Sequence, residues 1–150
     1  VWRPKTDRKA APDAFTVAIR LLAQRAHGER ELATKLARRG CPPEAIEDAL
    51  ARARQLGYLD DTAFAQALVR RRARSRGPHL IAAELASRGV DRDLAREAVS
   101  ALSREDQVAS ARRQAGSVTA VNFRKAAGRL RRLGFSADVI REALSLNDDL

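Results

Sequence analysis

From Ala14 onward, apolar residues recur at the spacing of one helical face. Phe15, Ala18, Ile19 and Leu22 follow the i, i+3, i+4, i+7 pattern, and Phe123, Ala126, Ala127, Leu130 and Leu133 repeat it late in the chain. Glycines punctuate these stretches. Gly40, Gly89 and Gly134 each follow a Leu-containing helical run, where a glycine can take the left-handed conformation that ends a helix. Two positions later stand Asp91 and Ser136, whose side chains can accept hydrogen bonds from the free N–H groups of a new helix. The first such slot holds Pro42, followed by Pro43, a residue suited to a first helical turn. The pattern predicts helix, helix, turn, helix, repeated. Residues 1–13 carry no such period and read as a flexible basic leader.

Shifted by 49 residues, the sequence matches itself without a gap. Ala14-Phe15 falls on Ala63-Phe64, Ala18 on Ala67, Gly28 on Gly77, Leu36-Ala37 on Leu85-Ala86, and Arg39-Gly40 on Arg88-Gly89. A further shift of 45 residues carries Leu85 onto Leu130, Gly89 onto Gly134 and Ala98 onto Ala143. The predicted fold is all-α: three tandem three-helix repeats over 14–57, 58–102 and 103–150, the last ending in a short acidic tail. Helices of this length are marginal alone and must be held by packing their apolar stripes together. Such repeats are expected to form an elongated, curved array. The first helix of the third repeat, Glu105 to Gly116, lacks the phenylalanine of its counterparts.

Composition adds a class of partner to this picture only through charge. Lys and Arg total 29 against 19 Asp and Glu, a net charge of +10 on 150 residues, which favours a polyanionic partner. Aromatic residues make up 4%, so the core must come from Leu, Ala, Ile and Val. The lone Cys41 excludes an internal disulfide framework and fits a reduced compartment. No apolar run is long enough to cross a bilayer. The chain has no methionine and begins Val1-Trp2-Arg3-Pro4, so upstream residues are expected.

Enzyme signatures are absent: no phosphate-binding glycine loop, no H-E-x-x-H, no G-x-S-x-G and no spaced Cys/His set. No cofactor, metal or small-molecule substrate is expected, and the chain is not read as an enzyme. His27 and His79 adjoin Gly28 and Gly77-Pro78, where solvent-exposed turns are expected, and Cys41 reads as a small turn residue. Asp60 and Asp61 are too few for a metal site and suit the start of a helix at Thr62-Ala63-Phe64.

The basic residues carry the functional signal because they are segregated. No acid lies between Asp61 and Glu84, a window holding Arg70, Arg71, Arg72, Arg74 and Arg76. None lies between Asp106 and Asp138, which enclose Arg112, Arg113, Arg124, Lys125, Arg129, Arg131 and Arg132. These twelve residues are the candidate binding surfaces. Arg71 replaces Leu22 under the 49-residue shift, so either its helix end protrudes or its stem packs while the head reaches out. Arginine outnumbers lysine 25 to 4, which suits bidentate contacts to phosphate or carboxylate. On charge alone, a stand-alone helical nucleic-acid binder is an alternative, though the arginine stretches 70–76 and 112–132 hold no aromatic for stacking besides Phe123. A scaffold whose charge is incidental is a third reading.

The run Gln55-Leu56-Gly57-Tyr58-Leu59-Asp60-Asp61-x-x-Phe64-Ala65, followed by Arg72 and Gly77, resembles the central motif of the RecX family. So does Arg30-Glu31-Leu32 through Leu36 to Gly40. The resemblance spans residues 14–146 and marks Gly57, Tyr58, Leu59, Asp60, Asp61, Phe64 and Gly77 as structural positions, beside the helix-ending Gly40, Gly89 and Gly134. It implies a bacterial cytoplasmic protein that binds the RecA recombinase filament. It further implies restraint of filament growth, ATP hydrolysis and strand exchange, with some direct affinity for single-stranded DNA. A monomer is expected.

Overall fold

The structure, a computed structural model, describes residues 12–145, so most of the leader and the acidic tail lie outside the described residues. Nine α-helices occur among those described: α1 Ala14–Gln24, α2 Glu29–Arg38, α3 Pro43–Gln55, α4 Asp61–Arg72, α5 Pro78–Ser87, α6 Arg92–Ser100, α7 Arg104–Ala115, α8 Phe123–Arg132 and α9 Ala137–Leu144. The protein is all-α there.

One capping device ends α2, α5 and α8. Gly40, Gly89 and Gly134 have φ of 84°, 83° and 90°. The residue after each glycine donates its N–H five residues back: Cys41 to the Leu36 carbonyl at 3.2 Å, Val90 to Leu85 at 3.1 Å and Phe135 to Leu130 at 3.2 Å. The same two side chains meet in the core, so the turn that stops each helix also buries an apolar pair. Helix starts follow the expected chemistry. Asp91 accepts from the Asp93 N–H at 2.9 Å and Ser136 from the Val139 N–H at 3.4 Å. Pro42 takes the N-cap position of α3, with Pro43 in its first turn.

Helices α1–α3 enclose a core of Ala14, Ala18, Leu21, Leu32, Leu36, Cys41, Ala53 and Leu59. Helices α4–α6 bury Ala65, Leu68, Val69, Ile81, Leu85, Val90 and Val99. Helices α7–α9 bury Val108, Ala111, Leu130, Phe135, Val139, Ile140 and Leu144. The chain divides into two compact units between Asp60 and Asp61. Within the second unit, the α4–α6 and α7–α9 groups are joined through backbone. The Gly77 N–H donates to the Leu133 carbonyl at 2.7 Å, and the His79 N–H to the Gly134 carbonyl at 3.2 Å. A Cβ on Gly77 would overlap the Gly134 carbonyl, and one on Gly134 would overlap Leu80. These glycines allow two backbones to touch.

The repeat does not carry burial uniformly. Ala14 and Ala18 are buried, but Ala63 and Ala67, their counterparts under the 49-residue shift, are exposed. Helix α4 instead faces its core with Ala65, Leu68 and Val69. Arg71 is therefore exposed because its helix presents another face, and Leu22, its counterpart, is itself only partly buried. In α7 the missing phenylalanine is offset by Phe135, whose ring fills the α7–α9 core from the α8–α9 turn.

Candidate polyanion-binding surfaces

Helix α4 points its core face inward at Leu68 and Val69, which sets the direction of every arginine that follows. Arg70 and Arg71 end the helix on its outer side, and Arg74 lies exposed in the turn beyond. None of the three has a side-chain partner among the described residues. Arg72 lies four residues after Leu68, so its stem runs along the core edge.

There Arg72 meets Glu84 of α5 in a two-pronged contact, Nε to Oε2 at 3.0 Å and Nη2 to Oε1 at 2.9 Å. Arg76 Nη1 reaches Oε2 at 2.8 Å and Arg88 Nη2 reaches Oε1 at 2.9 Å. One carboxylate, 12% exposed, thus holds three guanidinium groups. Burial pushes the Glu84 pKa up, but the hydrogen bond from Arg72 and the charges of Arg72, Arg76 and Arg88 outweigh it and hold it below the usual value. Of the five candidates on this segment, Arg72 and Arg76 are internal struts, while Arg70, Arg71 and Arg74 face solvent.

The second window divides in the same way. Arg129 donates to the carbonyls of Gln114 and Ala115, the latter at 2.9 Å. It thereby satisfies the C-terminal end of α7 and opposes its negative dipole end. Arg112 makes a long contact to the Glu142 carbonyl at 3.4 Å, beside the Arg104–Glu142 ion pair. Arg113, Arg124, Lys125, Arg131 and Arg132 are exposed and have no acidic partner among the described residues. Lys125, Arg129 and Arg132 lie at i, i+4 and i+7 on α8 and line a cleft of about 270 Å³ with Asn122, Ala115 and Ala126.

The two histidines differ. His79 is exposed in the first turn of α5. His27, expected in a solvent-exposed turn, is instead 3% exposed. The loop between α1 and α2 folds it inward, where Nδ1 lies 2.8 Å from the Arg25 carbonyl and Nε2 2.9 Å from Lys35 Nζ. Burial lowers its pKa, and the nearby Arg25 and Lys35 charges push the same way against Glu31. The neutral ring accepts from Lys35, a structural role. Cys41 is a turn residue and also part of the core, its Sγ 3.7 Å from the Pro12 carbonyl. Asp60 stands immediately before α4 and Asp61 is its first residue. Among the described residues no group of three or more His, Cys, Asp or Glu could hold a metal ion. No helix there is long and apolar enough to cross a membrane.

Sequence reasoning missed the Glu84 hub and the α8 cleft. The i, i+4 spacing of Glu84 and Arg88 was the available signal for the first, and the Lys125–Arg129–Arg132 stripe for the second. In the motif region, Leu59 is buried whereas Leu56 and Tyr58 are more than half exposed.

Two family models match the chain: residues 14–52 fit the first three-helix domain of RecX, and residues 60–99 fit the second. A regulatory protein RecX from Stenotrophomonas maltophilia strain K279a is 36% identical, covering 96% of this chain and 94% of the relative. Another from Halorhodospira halophila is 40% identical over 88% of this chain and 86% of the relative. The crystal structure of RecX from Lactobacillus salivarius matches with a TM-score of 0.78 at 21% identity, across 87% of this chain and 91% of that one. At that identity the likeness concerns the fold.

Proposed function

The chain belongs to the RecX family of regulatory proteins, and from that premise we propose that it binds the RecA–single-stranded-DNA filament and restrains it. Restraint here means slower filament extension, ATP hydrolysis and strand exchange. The observation that carries this reading is the segregation of unpaired cations. Arg70, Arg71 and Arg74 on one segment, and Arg113, Arg124, Lys125, Arg131 and Arg132 on another, face solvent without a counter-charge. A solubility coat would intersperse the two signs. A filament with acidic protein walls and a phosphate backbone offers both kinds of partner such groups recognise.

The proposed mechanism is steric and electrostatic. The protein acts as a bacterial cytoplasmic monomer, its arginines contact DNA phosphate or acidic RecA side chains, and subunit addition or the ATP-driven cycle is blocked. No bond is made or broken by this chain, and no cofactor takes part.

The test is RecA-dependent ATP hydrolysis on single-stranded DNA, titrated with this protein beside direct DNA binding. Inhibition well below the amount that coats the DNA is expected. Unchanged hydrolysis at stoichiometric protein would overturn the reading. The α8 cleft favours a second reading, a stand-alone nucleic-acid binder, which predicts inhibition only at DNA saturation.

A further inference from the structure

We propose that the cleft between α8 and the end of α7 is a phosphate-binding subsite, formed by Lys125 and Arg132 around a fixed Arg129, and that it holds a nucleic-acid phosphodiester. This deepens the reading above and rests on it for its biological setting, but not for its chemistry. The site is concave: about 270 Å³ lined by Asn122, Lys125, Ala126, Arg129, Arg132 and Ala115. Three of its six lining residues are cationic and none is acidic.

The three cations are not equivalent. Arg129 is committed to the Gln114 and Ala115 carbonyls. Without it, the carbonyl end of α7 would repel an anion entering the cleft. With it, that end is satisfied, and Arg129 forms a fixed positive wall. Lys125 and Arg132 are exposed and have no partner among the described residues, so their donors are available. The rim is organised as well. Asn122 Oδ1 accepts from the Thr119 N–H at 2.7 Å, and its Nδ2 donates to the Ser117 carbonyl at 3.2 Å, closing the loop that leads into α8.

An anion here would be compact and multiply accepting, since one lysine and one arginine line the same small cleft. A phosphate fits that description. No aromatic side chain lines the cleft, so a base would gain no stacking there, and recognition would follow the backbone alone.

The experiment uses the full chain, without RecA. Binding of a fluorescent deoxythymidine oligomer is followed by anisotropy across a salt series for wild type, K125A/R132A and a control, R92A/R96A, which removes two exposed arginines of α6 outside both basic windows. Competition by inorganic phosphate and by the unlabelled oligomer is measured in parallel. Arg129 is left in place because of its role at α7, and circular dichroism checks that each variant retains its helix content. The expected result is about tenfold weaker oligomer binding for K125A/R132A. Its log–log salt slope should be shallower by about 1.4, two phosphates at roughly 0.7 each. Binding by the α6 control should change by less than about twofold, and competition should come from the oligomer rather than from free phosphate. Unchanged affinity and slope in a folded K125A/R132A would overturn the proposal, as would displacement by inorganic phosphate as effective as by the oligomer. Failure to affect RecA would count against the filament reading and leave these oligomer results standing.

Discussion

Glu84 holds Arg72, Arg76 and Arg88 at 2.8–3.0 Å, so its loss leaves three half-buried guanidinium groups facing one another. Breaking a fully buried pair costs several kcal/mol, but these arginines are about 30% exposed and water screens them. Glu84→Ala is therefore expected to lower stability by about 1–3 kcal/mol, read from urea unfolding, while Arg74→Ala changes it by less than about 0.5 kcal/mol. Equal effects would contradict the division into struts and free cations. His27 supplies a pH dependence. Its folded pKa lies below the ordinary 6.5, so the unfolded chain takes up the proton more readily. Its contribution is present in full above about pH 6.5 and falls as pH drops toward the folded value. Glu31 and Glu84 are also held low, so what they contribute persists to about pH 4.5 and is lost as pH falls further. A His27→Asn variant should flatten the unfolding midpoint between pH 7 and 5.5; an unchanged slope would place the titration elsewhere. Ser110 is fully buried in α7 with its hydroxyl unpartnered among the described residues, so Ser110→Ala should be neutral or stabilising by about 1 kcal/mol in the same urea assay.

At the scale of elements, the decisive contact is backbone against backbone. Gly77→Ala would drive a Cβ into the Gly134 carbonyl and disturb the Gly77–Leu133 hydrogen bond. A loss of about 1–3 kcal/mol from the second compact unit is expected, with faster amide exchange at position 77 and at His79. Gly40→Ala, whose Cβ would meet open space, should cost only the left-handed backbone term of about 1–2 kcal/mol. Much of this architecture was legible in the sequence. Gly40, Gly89 and Gly134 mark helix ends because few other residues tolerate that conformation, and Asp91 and Ser136 mark starts because their side chains cap. The orientation of α4 was not legible. A repeat in sequence preserves residue type, whereas burial depends on how a helix is rotated, and Ala63 and Ala67 turned outward although Ala14 and Ala18 turned inward. Nor could adjacency to Gly28 show that His27 folds into the interior. The arginine windows were visible as unbroken runs without acid, but their division was not. Glu84 reaches Arg72 and Arg76 through the fold, and Arg129 finds carbonyls on another helix.

For the whole molecule, the count of 29 Lys and Arg overstates the cations open to a partner, since Glu84 holds three arginines and Glu142 pairs with Arg104. The candidate cations that remain lie on the α4 end and on α7–α8, and the family relation gives that charge a direction. Because the solvent-facing cations have no internal role, reversing Arg70, Arg71 and Arg74 to glutamate should leave the urea midpoint nearly unchanged and weaken any effect on the filament at least severalfold. A large loss of stability would show that these residues are structural after all. The most direct measurement is RecA filament growth on single-stranded DNA, followed while this protein is added far below the amount that saturates the DNA. The account predicts that extension slows or stops at those amounts, and that the triple reversal restores it. Growth that proceeds at its normal rate until the DNA itself is coated would contradict it.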